Sequence, residues 1–341
     1  MIWGNKSGVQ SRSIVQVLSA LGVGLFLALP ALLAAGGLRG APYILDLLSM
    51  VGLYALLSLS LNVILGLAGM FHMGHAAFFA VGAYATANLN LTYGWPILAT
   101  LPVAALMAGT LAFIVALPVI HLRGDYLLIV TIGIVEIVKI ALTNDIFGLT
   151  GGPNGLIGIA RPVVFGHRIS QPRDFFYLIW IMVGITMILF HWLENSRFGR
   201  ALKYIKEDTV AAEGMGVNTT AHKLMAFVIG AAWAGMAGTI FASKMRTISP
   251  DSFTFGESVI MFTIVILGGS GHQKGVLLGA FLVMGLPELF RDFQDMRLLA
   301  YGAALVAMMI FRPQGLWPPT PTQYRLPDPY ATKYPRGDKP C

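Results

Sequence analysis

Ten stretches of this chain are long and apolar enough to be read as membrane spans. They cover 14–37, 44–69, 71–91, 96–120, 126–147, 175–193, 224–242, 259–269, 276–289 and 298–311. A helix needs roughly 20 apolar residues to cross about 30 Å of hydrocarbon. None of the stretches alternates polar with apolar residues, which excludes a transmembrane barrel, and helices satisfy their own backbone groups in lipid. Charged residues are 11% of the chain, against about 25% in soluble domains. The expectation is an all-α, polytopic transmembrane helical bundle of about ten spans. The range is eight to ten, because the last three stretches are short and are either extended by flanking residues or re-entrant. For 14–37, Ala34 and Ala35 offer a small-residue cleavage site. Its apolar core exceeds the 7–15 residues of a signal peptide, which favours a retained span.

Charge orients the spans. Of the 23 Lys and Arg residues, 14 fall on the side of the N-terminus, eight fall on the opposite side, and Lys139 lies within a span. Basic residues concentrate on the cytoplasmic side, so both termini are expected there. The chain then divides into a cytoplasmic segment (1–13), a transmembrane domain (14–312) with a cytoplasmic loop at 194–223, and a tail (313–341). The tail holds eight of the 18 prolines and reads as extended. The net charge of +7 is dispersed over loops at the headgroups, so it does not indicate nucleic-acid binding. The single cysteine, Cys341, leaves no internal disulfide and no cysteine metal site.

The loop at 194–223 is the longest polar run between apolar blocks, and it carries two helical patterns. Phe198, Leu202 and Ile205 recur at i, i+4, i+7 and share one helix face. Asp208 can cap a second helix whose Val210, Ala211, Gly214 and Met215 share a face, and Gly216 stands where a left-handed residue ends it. A helix of about two turns is marginal alone in water. It therefore docks on something, either the protein's own base or a partner at the membrane surface.

Other features have packing or connecting roles. Gly230, Ala234 and Gly238, with Ala231 and Gly235, form small-residue stripes of the kind that let helices approach closely in lipid. The outer loop at 148–174 opens with Thr150-Gly151-Gly152-Pro153-Asn154-Gly155, a glycine-rich turn cluster. Thr254 and Glu257 form a capping-box pattern. Leu65-Gly66-x-x-Gly69 and Leu267-Gly268-x-x-Gly271 both fall where a span re-enters the cytoplasm, but five positions are too few to establish an internal repeat.

Few residues carry chemistry. There is no G-x-x-x-x-G-K-[ST] phosphate loop, so this chain does not itself hydrolyse ATP. No H-E-x-x-H or G-x-S-x-G motif appears, which removes the usual hydrolases. His72 and His75 lack a third ligand nearby and read as helix-end histidines near a water interface rather than a metal site. Glu136 and Lys139 stand three apart near the middle of 126–147. Charges at that depth cost about 2.5–3.5 kcal/mol each. They are either a mutually neutralising pair that tethers helices or part of a water-filled path.

Taken together, the motifs point to a family. Leu61-Asn62, Gly66-Leu67-Ala68-Gly69, Gly74-His75-Ala76-Ala77-Phe78-Phe79 and Gly82-Ala83-Tyr84 resemble the signature of the branched-chain amino acid ABC-importer permeases. Leu122-Arg123-Gly124-Asp125-Tyr126, Glu136-Ile137-Val138-Lys139, the Thr150–Gly155 cluster, Leu267-Gly268-Gly269-x-Gly271 and Phe311-Arg312-Pro313-Gln314-Gly315-Leu316 resemble the LivM-type subunit rather than its LivH-type partner. The resemblance spans about 58–316. It implies an assembly of this permease, a second LivH-type permease, two ATPase subunits and a periplasmic substrate-binding protein in a bacterial inner membrane.

The resemblance also implies site residues. Permeases of this kind carry an E-A-A-x-x-x-G loop that docks on the ATPase. Ala211-Ala212-Glu213-Gly214-Met215-Gly216 matches all but the first glutamate, where Val210 stands, with Glu207 or Glu213 as replacements. The implied coupling set is Glu207, Asp208, Ala211, Ala212, Glu213, Met215 and Gly216. The implied translocation pathway is Asn62, Gly66, Gly69, Gly74, His75, Phe78, Tyr84, Glu136 and Lys139. The implied periplasmic loop is Gly151, Gly152, Pro153 and Asn154. The chain is expected to bind no cofactor, with ATP used by the partner ATPases. The substrate class is branched-chain or other apolar amino acids. The alternatives are a permease of the same family for urea or short amides, a stand-alone ion-coupled transporter and, more remotely, an integral membrane enzyme.

Overall fold

The computed structural model describes residues 28, 30, 40–122, 124–145, 148–164, 166–289, 302, 306, 310–311 and 315–317. Helix α1 (Ala41–Asn62) continues into a π-helical turn, Val63–Leu67. Helix α2 (His75–Tyr93) ends at left-handed Gly94, and α3 (Ile97–Val119) and α4 (Asp125–Thr143) follow. After the outer loop come α5 (Pro172–Asn195), α6 (Arg197–Glu207) and α7 (Thr209–Gly214). Helices α8 (Thr219–Met245), α9 (Phe255–Gly268) and α10 (Gln273–Leu289) complete the described elements.

The described residues form a helical membrane bundle. Six segments are long and apolar enough to cross: Ala41–Leu67, Ile97–Val119, Asp125–Thr143, Pro172–Asn195, Thr219–Met245 and Pro250–Gly268, with Gln273–Gly285 a shorter apolar helix. Two of the ten expected runs, 14–37 and 298–311, lie almost wholly outside the described residues, as do 1–13 and nearly all of the tail.

Two helices form the centre. The span containing α1 is 89% buried by the rest of the chain, whereas that of α4 is only 22% buried, so α4 lies at the edge. Helix α8 packs on α2 and α3 almost backbone to backbone. A Cβ on Gly235 would fall 2.6 Å from the Ala104 carbonyl oxygen, and one on Gly238 would fall 2.4 Å from that of Phe79. The small-residue stripes are thus where helices close on one another, which is how lipid-embedded helices gain dispersion contacts.

Loops gather at the two ends. At one end, the turns after α1 and α9 meet α6 and α7. At the other, two short antiparallel pairs form among β1 (Leu156–Ile157), β2 (Val163–Val164), β3 (His167–Arg168) and β4 (Thr247–Ile248). Strand β1 pairs with β4, with Leu156 opposite Ile248, and β2 pairs with β3. Lys244 forms an ion pair with Asp46 at this end. Helix α9 starts where Thr254 predicts, but the capping box does not form. The Glu257 carboxylate instead accepts a 2.6 Å hydrogen bond from the Tyr54 hydroxyl of α1.

Candidate functional site

The loop at 194–223 folds as two helices at the signals written into its sequence. Ser196 opens α6 by accepting the Gly199 N–H at 3.1 Å. Leu202 and Ile205 are buried, and Phe198 stacks on His222, which seats α6 on the base of the bundle. Asp208 then caps α7, its Oδ1 accepting the N–H groups of Val210 and Ala211 at 2.8 and 3.0 Å. Such a cap is worth about 1 kcal/mol. Gly216 closes the helix with a φ of 81°, in the left-handed region that favours glycine. Its N–H donates to the Glu213 carbonyl, and that of Val217 donates to the Ala212 carbonyl.

The exposed face of α7 is apolar. Val210 is 68% and Met215 69% exposed, and Ala211 and Gly214 are exposed with them. Ala212 departs from the expected coupling set. It is 2% exposed, because its methyl points into the protein's own core. Glu213 accepts the Thr219 hydroxyl at 2.7 Å, an engagement within the loop itself, whereas Glu207 is exposed at the end of α6.

Sequence reasoning missed Lys206. Its Nζ donates to the Gly66 carbonyl of the π-turn at 2.8 Å. Burial lowers the pKa of its ammonium, with Glu207 acting in the opposite sense. The signal was present: Lys206 follows Leu202 by four residues and so borders the buried stripe of α6. Asn62, one residue before the π-turn, is buried, and its Oδ1 accepts the Gly271 N–H at 2.8 Å. Gly69 sits at a φ of 69° against the Lys206 stem.

The other expected pathway residues near the signature are packed inside the chain. His75, Phe78 and Tyr84 are almost fully buried, and a Cβ on Gly74 would fall 2.7 Å from the His72 ring and 2.8 Å from the Thr131 carbonyl. His72 is also fully buried and stacks near Phe78 and Phe227, while His75 hydrogen-bonds the Ser60 hydroxyl at 2.7 Å. The expectation of helix-end histidines near water is therefore corrected: the loop before α2 folds inward and its aromatic neighbours close over both rings. Among the described residues, no cluster of metal-ligating side chains includes them.

Glu136 and Lys139 are not a mutual pair. Helix α4 stops at Thr143, so Lys139 stands one turn from its end rather than at mid-span. There it reaches Asp251 at 3.1 Å. Glu136 is exposed on the outward face of α4 and has no ion-pair partner among the described residues. The glycine-rich cluster is more than a connector. Asp145 accepts the Thr150 and Gly151 N–H groups and the Thr150 hydroxyl, and the Thr150 N–H, first among these bonds, holds its carboxyl below the usual range. Gly151 and Gly152 are left-handed, and Gly152, Pro153 and Asn154 form a 3-10 turn. A Cβ on Gly155 would fall 1.8 Å from the Ile248 carbonyl, so the cluster is keyed into the loop beside β4.

The profile of a family described as "Branched-chain amino acid transport system / permease component" matches residues 43–312. This chain belongs to that permease family. The family's match covers every described helix from α1 to α10 except the first two residues of α1. Among curated relatives, the high-affinity branched-chain amino acid transport system permease protein LivM of Escherichia coli K12 is 41% identical over 304 residues, covering 82% of this chain and 71% of that one. The probable LivM of Methanocaldococcus jannaschii is 27% identical over 332 residues, with 81% and 95% covered. LivH of Escherichia coli K12 is 26% identical over 291 residues, with 77% and 90% covered. No solved structure matches the chain. As a member of the branched-chain amino acid permease family of LivM type, the protein is a membrane transport subunit and not an enzyme.

Proposed function

We propose that this chain is one of two permeases in an ATP-driven importer of branched-chain or other apolar amino acids. Its partners are a LivH-type permease, two ATPase subunits and a periplasmic binding protein, in a bacterial inner membrane with both termini cytoplasmic. About ten spans complete the domain, with 1–13 and 313–341 as cytoplasmic ends. Likeness to both LivM and LivH proteins supports a pair of permeases.

The observation that carries the coupling role is α7, a capped and glycine-stopped helix that leaves Val210 and Met215 uncovered on a polar end of the bundle. An apolar face of that size on so short a helix is explained by a docked partner. We assign the ATPase contact to Glu207, Asp208, Val210, Ala211 and Met215, with Gly216 setting the helix end and Ala212 and Glu213 holding α7 to its own base. The outward face of α4 with Glu136 is assigned to the translocation pathway or the second permease. A charge facing lipid costs about 2.5–3.5 kcal/mol, so that face needs water or protein over it.

Co-purification tests the reading. The parent chain should bring ATPase chains with it. Val210→Asp and Met215→Asp should shed them while the permease stays folded, whereas Ala212→Asp should damage the fold of the loop itself. Retention of the ATPases by both surface variants contradicts the assignment.

A further inference from the structure

Three parts of the chain that are remote in sequence meet at one carbonyl. The Gly66 oxygen lies in the π-turn that ends the span of α1, and it accepts the Lys206 ammonium from 140 residues away. Beside it, Asn62 holds the Gly271 N–H from the turn between α9 and α10, and a Cβ on Gly271 would fall 3.1 Å from the same Gly66 oxygen. The junction has no slack. A Cβ on Gly66 would fall 2.1 Å from Asn62 Oδ1 and 2.5 Å from the Gly271 nitrogen, and one on Gly69 would fall 2.8 Å from Lys206 Cγ.

The backbone chemistry explains why a side chain is needed there. Carbonyls in the last turn of a helix lack intrahelical donors. In this turn the Val63 oxygen takes the Ala68 N–H and the Ile64 oxygen takes the Met70 N–H, while the Gly66 oxygen takes Lys206. A π-turn is a rare departure from α-helical hydrogen bonding that is found frequently at functional sites. Lys206 is two residues before Asp208, which caps α7, so the donor and the exposed helix are almost contiguous. Lys203, on the same helix, instead pairs with nearby Glu194 at the surface. A cavity of about 200 Å³ beside the junction, lined by Gly69, Phe71, Leu127, Lys206 and Thr209, leaves room for the joined segments to shift together.

The geometry points to Lys206 as a positioning residue for coupled transport: through Gly66 it makes α7 and the π-turn at the end of α1 move as one body. Displacement of α7 then reaches the inner end of α1 directly, and reaches the α9–α10 turn through Asn62 and Gly271. This rests on the reading of α7 as the ATPase contact.

The test uses the complete importer in proteoliposomes, with leucine as the probe. Retained ATPase chains, ATP hydrolysis and uptake are measured for the parent, Lys206→Met, Lys206→Arg and Val210→Asp. Lys206→Met should keep its ATPase chains and its hydrolysis but lose about tenfold in uptake per ATP hydrolysed, the effect of one charge-assisted hydrogen bond on a conformational equilibrium. Lys206→Arg, which keeps the charge and the donors, should recover most of that ratio. An unchanged ratio in Lys206→Met overturns the proposal. So does loss of the ATPase chains in Lys206→Met, which would make the bond a fold-holding contact only. Val210→Asp separates the two claims, because it must shed the ATPases if α7 is the contact, whatever Lys206 does.

Discussion

At the scale of single residues, partners decide roles that residue type leaves open. Lys139 is the clearest case. Its spacing from Glu136 suggests a neutralising pair, yet α4 ends early enough to put the lysine beside Asp251. Asp251 is 82% exposed, so the pair is worth only about 0.2–1 kcal/mol. Double-mutant cycles on thermal unfolding of the purified complex should therefore show a small coupling between Lys139→Met and Asp251→Asn. The same cycle between Glu136→Gln and Lys139→Met should be additive, and strong coupling there would restore the mutual pair. Asp145 behaves similarly. Its loop bonds depress its pKa, so their stabilisation is present above the unfolded carboxylate pKa and is lost as pH falls through the lower folded value.

At the scale of elements, composition fixes where helices run and leaves their packing partners open. The run at 96–120 becomes Ile97–Val119 and that at 175–193 becomes Pro172–Asn195, because apolar length alone sets how much chain lipid can hold. Helices α6 and α7 were legible from the Phe198–Leu202–Ile205 stripe, the Asp208 cap and the Gly216 stop, all of which are local signals. The π-turn at Val63–Leu67 was not, since it is a change of hydrogen-bond register with no compositional mark. The burial of His72 and His75 was not legible either, because it depends on packing against Phe78 and, for His72, on Phe227 from α8. The glycine stripes of α8 give a sharp prediction. Gly235→Val would press a side chain into Ala104 and Ala108, costing at least about 1–3 kcal/mol by overpacking, and should reduce the yield of monodisperse protein. Gly184→Val on α5, where nothing lies within 4 Å, should leave the yield unchanged. Equal yields would mean that α8 does not pack as closely as described.

At the scale of the whole molecule, the described helices place α7 and the Lys206 junction at one end and the Gly151–Asn154 turn at the other. With Cys341 replaced, a cysteine at exposed Thr220 should react with an impermeant reagent only from the cytoplasm, and one at exposed Asn154 only from outside. Reaction of both from one side contradicts the proposed topology. The chain has no phosphate-loop motif of its own, so in the proposed importer the energy enters from the ATPase subunits through the α7 surface. The measurement that tests this most directly is leucine uptake into proteoliposomes. The account predicts uptake that requires the ATPases, the second permease, the binding protein and ATP, and that is abolished by Val210→Asp. Uptake by this chain alone, driven by a proton or sodium gradient and lost on Glu136→Gln, would contradict it.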